Sequence, residues 1–157
     1  MQARVEPVGI EEVAGIVAIV RQGDLDEIEG ALQTPIAQAL TDGIEGSRKV
    51  SKIVCDGKVL AVFGDADCDE VAGLGIPWLI STVHVGDYRR AFLNVCKPEV
   101  DEMLTRNQAL LNYVACNNSL AIRWLKWLGF DFHDPEPYGA AGELFYPFTK
   151  GGVHVRQ

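Results

Sequence analysis

Residues 110–130, LLNYVACNNSLAIRWLKWLGF, constrain the fold more than any other stretch. Leu110 to Cys116 is short, apolar and rich in strand formers, the pattern of a buried strand. Asn117, Asn118 and Ser119 follow, and any of the three suits a helix N-cap. From there Leu120, Trp124, Trp127 and Leu128 recur at the spacing of one helix face. Gly129 suits the left-handed conformation that ends a helix, and Phe130 restarts an apolar strand. The stretch therefore reads strand, tight loop, helix, glycine stop, strand.

The rest of the chain supplies the same kinds of element. Arg4 to Val8 reads as a first strand, and Gly9 to Arg21 as an amphipathic helix ended by Gly23. A second helix follows from Asp24, an N-cap candidate, with Ile28, Leu32, Ile36 and Leu40 on one face and Pro35 kinking or splitting it. Asp42 to Gly46 reads as a loop. Val50 to Cys55 and Lys58 to Phe63 flank Asp56-Gly57, a strong hairpin signal. Gly64 to Gly75 reads as an acidic connection and Ile76 to Val83 as a central strand. Asp87 to Cys96 is helical, with Pro98 starting a further helical piece through Asn107. Phe130 to His133 and Glu143 to Phe148 close the set of strands, separated by a turn over Asp134 to Gly139.

This order predicts a mixed α/β fold: one central mixed sheet of about seven strands, with helices on both faces. A chain of 157 residues without an internal repeat or a dividing linker suits one domain, over 1–150, with a C-terminal tail over 151–157. The net charge of −8 argues against non-specific binding to nucleic acid or anionic membranes. Cys55, Cys68, Cys96 and Cys116 show no metal or redox spacing and suit a reduced, intracellular setting. Val13 to Val20 is apolar, but Glu11 and Glu12 precede it where a secretory signal needs basic residues, and it is too short to span a membrane.

Asn118-x-x-Ala121-Ile122-Arg123 through Leu128-Gly129-Phe130 resembles the C-terminal half of the GNAT superfamily of N-acetyltransferases, whose members often read N-x-x-A-I-x-x-Y-x-x-x-G-F. The longer pattern, with Trp124-Leu-Lys-Trp-Leu-Gly-Phe and Gly142 before Leu144-Phe145-Tyr146, is similar to GNAT-like internal virion or core proteins of short-tailed phages. The resemblance implies a GNAT-like acyl-CoA N-acyltransferase fold in which the fourth and fifth strands splay apart. Acetyl-CoA would lie in that gap, with its pyrophosphate on backbone N–H groups at a helix start. Carried onto this chain, the fourth strand is Trp78 to Val83, the fifth Leu110 to Cys116, and the phosphate loop His84 to Arg90. Val83, Val85, Gly86, Arg89, Arg90 and Asn118 are then the cofactor-binding candidates.

Two departures bear on activity. Laid on Arg89, the family's loop glycines fall on Phe92 and Asn94. A phenylalanine there either obstructs the approach of a phosphate or turns into the core. The position of the family's proton-donating tyrosine holds Leu125, which has no proton to give; Tyr113 and Tyr88 are the alternatives. His84, at a strand end and titrating near neutrality, is the general-base candidate or else a partly exposed structural histidine. Cys116 is a nucleophile candidate or a structural cysteine, and Asn118 a pantetheine contact or a helix cap.

No metal site is expected. Asp65, Asp67 and Asp69 resemble the start of a calcium loop, but Glu70 stands where glycine is needed and Ile76 where a carboxylate is needed, so the stretch reads as a solvated loop. Trp124 and Trp127 flank one helix face; one belongs in the core, and an exposed one would anchor a protein partner. These features favour a GNAT-derived, non-catalytic phage protein, residing in the host cytoplasm or the virion and acting through contacts with phage or host proteins. The alternative is an active acetyl-CoA-dependent N-acetyltransferase with a diverged phosphate loop.

Overall fold

The computed structural model describes residues 2–152. Strand β1 (Arg4–Pro7) leads through a short helical turn at Ile10–Glu12 to α1 (Val13–Val17), α2 (Gln22–Leu32) and α3 (Ile36–Gly46). Strands β2 (Lys49–Cys55), β3 (Lys58–Asp67) and β4 (Leu74–Ser81) follow, then a helical turn at Val85–Tyr88 and the long helix α4 (Arg89–Arg106). The chain closes with β5 (Ala109–Ala115), α5 (Ser119–Trp127), β6 (Asp131–Phe132), β7 (Glu136–Tyr138) and β8 (Glu143–Gly151). Among the described residues the sheet has eight strands, in the order β1-β2-β3-β4-β5-β8-β6 with β7 also on β8. All pairs are antiparallel except β4 with β5.

Strand alternation divides the apolar residues between two layers. Ala61 and Phe63 of β3 join Phe92, Cys96, Val100 and Met103 of α4 and Trp124 of α5 on one face. Val62 and Ile80 meet Val13, Ile16, Ile36 and Leu40 of α1 and α3 on the other. The β2–β3 hairpin turns on Asp56 and Gly57, both at positive φ, as the Asp-Gly pair predicts.

Pro35 does split the second helix. Gln33 takes a left-handed conformation to end α2, Pro35 stands at the N-cap of α3, and Glu29 Oε2 accepts a bond from the Ile36 N–H. Asp42 to Gly46, expected as a loop, is the last turn of α3. Gly43 is there because a side chain at that position would meet the Trp78 ring at 2.9 Å. Pro98, expected to start a separate helical piece, lies inside α4. Phe92, Cys96, Val100 and Met103 keep one buried stripe across it, and that packing outweighs the lost backbone bond. The expected turn at Asp134 to Gly139 contains β7, paired with β8 and stacked through Tyr138 on Tyr113 at 4.0 Å. Strand β3 runs on to Asp67 and β4 begins at Leu74, so the acidic connection is shorter than expected. Of the expected tail, Gly151 ends β8, and residues 153–157 lie outside the described residues.

Asp65 corrects the solvated-loop reading. It is fully buried in β3 and accepts two bonds from the Arg106 guanidinium, at 2.6 and 3.1 Å, and one from Asn107 Nδ2 at 2.9 Å. This cluster ties the end of α4 to the sheet beside the start of β5. Removing one partner of a buried pair strands the other charge, so Asp65→Ala should cost about 3–5 kcal/mol in urea denaturation. Asp67→Ala, which breaks a pair with Arg48 at a largely exposed carboxylate, should cost under about 1 kcal/mol.

Candidate functional site

Strands β4 and β5 run parallel and pair only at Leu74 with Ala109 and Gly75 with Leu110. Beyond that point they diverge. The ladders fix which backbone groups face the opening. The Thr82 N–H bonds Leu60 of β3 and the Cys116 N–H bonds Leu144 of β8. By alternation, Pro77, Leu79, Ser81 and Val83 face the gap from one side and Tyr113 and Ala115 from the other. A bare buried N–H or C=O costs about 1–3 kcal/mol, so these groups need partners.

Most of them find one within the chain. At the throat, Asn112 donates to the Pro77 carbonyl at 2.6 Å and accepts from the Tyr113 N–H at 2.8 Å. Near the mouth, the Ser81 N–H and hydroxyl both donate to Asp24 Oδ2 at 2.6 Å, and the Ala115 N–H donates to Glu27 Oε1 at 2.9 Å. Ser81 accepts from the Arg21 N–H, and the Val83 N–H donates to Ile19. Asn118 donates to Glu27 at 3.0 Å and accepts from Arg21 at 2.9 Å, while Arg21 also reaches Asp24 at 2.6 Å. Glu27, Asn118, Arg21 and Asp24 thus form a polar belt across the mouth of the gap. The N–H and C=O of Leu79 face the gap beyond the last β4–β5 pair, and among the described residues no side chain bonds them.

A cavity of about 420 Å³ runs through the gap and takes its lining from both faces of the sheet. Leu79, Phe92, Cys96 and Trp124 line it on the α4–α5 side; Glu27, Ile28 and Ala31 line it on the α2 side. A second cavity, of about 530 Å³, opens outside the belt between α2, α5 and the start of β8. Glu27, Ala31, Asn118, Tyr138 and Phe145 line both. Burial raises the Glu27 carboxyl above its ordinary value; the bonds from Asn118 and Ala115 pull it down, Asp24 adds to the rise and Arg21 opposes it. Its second oxygen, Oε2, takes no bond among the described residues. Burial pushes the Cys96 thiol up to about 12, so it serves there as an apolar filler. Trp124 is buried against Phe92, and its indole N–H has no partner among the described residues.

The structure brings some of the residues singled out in the sequence to this site. Asn118 is at the N-cap of α5 but its side chain makes no capping bond; it is spent on the belt. Phe92 turns into the core and leaves the first turn of α4 clear. Arg89 and Arg90 open that turn, both exposed and neither in an ion pair among the described residues. Val83 is exposed and pairs through its backbone, Gly86 is exposed in the helical turn, and the Val85 side chain is buried in the core. Leu125 lines the gap cavity, as does Tyr113, whose phenol burial raises. His84 and Cys116 line neither cavity. Tyr88 points elsewhere, donating to Asp56 at 3.1 Å. Among the described residues no group of three or more side chains has the arrangement of a metal site.

Arg21, Asp24 and Glu27 went unread as site residues. Asp24 reads as a helix cap in the sequence but is only 6% exposed, inside the first turn of α2. The available signal was its place four residues before Ile28, a carboxylate in register with the apolar stripe.

No known protein family matches the sequence, and no curated protein matches it. Solved structures do. An N-acetyltransferase from Staphylococcus aureus Mu50 superposes with a TM-score of 0.70 at 12% identity, over 96% of this chain and 99% of that one. RimJ of Mycobacterium smegmatis, solved with CoA-disulfide, gives 0.68 at 13% identity, over 99% and 84%. An acetyltransferase of the GNAT family from Streptococcus pneumoniae gives 0.62 at 13% identity, over 95% and 98%. With its mixed sheet and its splayed β4 and β5, the chain has the GNAT fold, that of the acyl-CoA N-acyltransferases.

The raised Glu27 carboxyl sets the sign of a pH effect. The folded chain holds that proton to higher pH than the unfolded chain, which releases it near its usual value of about 4.3. Its contribution is fully present below that value and lost as pH rises through the folded one. In urea denaturation between about pH 4 and 7, wild type should therefore lose stability relative to Glu27→Gln as pH rises.

Proposed function

We propose that the chain is an acyl-CoA-dependent N-acyltransferase whose two substrates meet in the gap between β4 and β5. The observation that carries this reading is the cavity through that gap, lined from both faces of the sheet. A two-substrate transfer needs donor and acceptor held together and kept from water, and opposite entrances to one gap achieve that.

The residues present fit such a donor at three points. Leu79 offers a gap-facing N–H and C=O to an amide or acyl group lying along β4. The Trp124 N–H is a buried donor without an acceptor, which a carbonyl in the cavity would satisfy. The first turn of α4, with Arg89 and Arg90 exposed beside it, suits a phosphate group. When bound, an acyl-CoA supplies the activated acyl group.

The chain's own residues would then do the following. Glu27, at the partition between the two cavities, takes a proton from the acceptor amine through its free Oε2; its raised carboxyl makes it a better base than an exposed glutamate. Asn118 holds it from the side. Leu125 has no proton to offer, so Tyr113, which lines the same cavity and whose hydroxyl lies beside Glu136, is the remaining donor.

A second reading has its own observation. The gap-facing N–H groups of Ser81, Val83, Tyr113 and Ala115 already have partners within the chain. A retained GNAT scaffold acting through protein contacts, in a phage virion or its assembly, would tolerate that closure. Trp127, 48% exposed with the Lys97 ammonium 5.1 Å from its ring, is then the natural anchor.

Titration calorimetry with acetyl-CoA, followed by an assay of thiol release with a panel of primary amines, separates the two readings. The enzyme reading expects binding that weakens in Arg89→Ala, and a transfer rate that falls about 10²–10⁴-fold in Glu27→Gln. Absence of binding at millimolar donor, in wild type and in a variant freed of the Arg21 contacts with Ser81 and Asp24 alike, would leave the scaffold reading.

A further inference from the structure

We propose that Ile19 to Arg21 is a strap that closes the gap against the acyl donor and must leave the β4 edge before a donor can bind. This inference rests on the acyltransferase reading and concerns the regulation of that site.

The strap lies between α1 and α2 and adds a single antiparallel bridge, Val20 with Thr82, to the gap side of β4. Its bonds are those of one rung. The Arg21 N–H donates to the Ser81 carbonyl at 2.9 Å, and the Val83 N–H donates to the Ile19 carbonyl at 2.8 Å. An extended, amide-bearing ligand entering the gap from the start of α4 must run along Val83, Ser81 and Leu79, in that order. The first two stations are occupied by the strap, and the third is open. Strand edges bind extended chains through these same N–H and C=O groups, so strap and ligand compete for one set of bonds.

A latch holds the strap down. The Arg21 guanidinium bonds Ser81 Oγ at 3.1 Å, Asp24 Oδ1 at 2.6 Å and Asn118 Oδ1 at 2.9 Å, so it joins β4, α2 and α5. Asp24 in turn holds the Ser81 N–H and hydroxyl. Ser81 therefore has its N–H, its C=O and its hydroxyl all engaged by residues 21 and 24. The strap's hold on the apolar core is slight: Val20 packs against its edge, Ile19, Val20 and Arg21 are only partly buried, and α1 before it has five residues. Release would lift one partly buried side chain, Val20, from the edge of the core. It would expose the same ladder groups that the ligand then satisfies.

The competition sets what is measured. The apparent affinity of a ligand falls by the fraction of molecules in which its site is open. Loosening the latch raises that fraction, so removing a latch residue should tighten donor binding, the opposite of removing a ligand contact.

The experiment is calorimetric titration of acetyl-CoA into wild type, Arg21→Ala and Asp24→Asn, with amide hydrogen exchange at Arg21 in the free and donor-saturated protein. Both variants should bind about tenfold tighter than wild type, the scale expected from one or two hydrogen bonds lost by the closed form. The Arg21 amide should be protected in the free wild type and exchange faster with donor bound. Asp24→Asn keeps the shape of the side chain and serves if Arg21→Ala does not fold. Binding by the variants alone, with none by wild type, also supports the strap. Equal or weaker binding in the variants, with the Arg21 amide still protected in the complex, overturns the strap and leaves the acyltransferase reading standing. No binding by any of the three proteins overturns both.

Discussion

Two parallel strands that stop pairing inside a sheet create a debt of hydrogen bonds, and the site grows from it. After Gly75 and Leu110 the edges of β4 and β5 face each other across a widening gap. Their inward N–H and C=O groups are sheltered from bulk water and still need partners. Asn112 meets the need at the throat, and Asp24 and Glu27 meet it near the mouth. Two carboxylates in the belt require compensation, and Arg21 and Asn118 supply it. The belt is thus a consequence of the splay.

The splay in turn needs a rigid base. Asp65, Arg106 and Asn107 lock the end of α4 to the sheet beside the last paired residues of β4 and β5. Gly75 is required there because a side chain would meet Asn107 at 2.5 Å. With the base fixed and the strands diverging, side chains fill the space only partly. Phe92 and Trp124 occupy the α4–α5 side, and the cavity is what remains. The indole N–H of Trp124 borders that cavity without a partner among the described residues.

Local signals carried much of the architecture. Asp56-Gly57 specifies its hairpin because both residues tolerate positive φ. The stretch from Leu110 to Phe130 specifies β5, α5 and the glycine stop because its period and terminator agree. Signals that depend on a neighbour misled. Pro98 suggests a helix start, yet four buried residues across it keep α4 continuous. Gly43 suggests a loop, yet it is small because Trp78 lies against it. Tyr138 sits in what looks like a turn, yet stacking on Tyr113 draws its segment onto β8.

The candidate site was less legible than the fold. The sequence by itself determined the order of elements, the hairpin, the α5 motif and the two arginines at the start of α4, because each is set by residues within a few positions of one another. It could not determine which acids line the gap. Asp24 and Glu27 meet Ser81 and Ala115 across 57 and 88 residues of chain, and apart from the register of Asp24 with Ile28 nothing local distinguishes them from the exposed Asp26. Only the tertiary structure decided that α2 crosses the mouth of the splay, that Phe92 turns inward, and that Ile19 to Arg21 rests on β4. Those outcomes follow from where strand pairing stops, and the divergence of two strands is a property of the packed layers rather than of either strand's sequence.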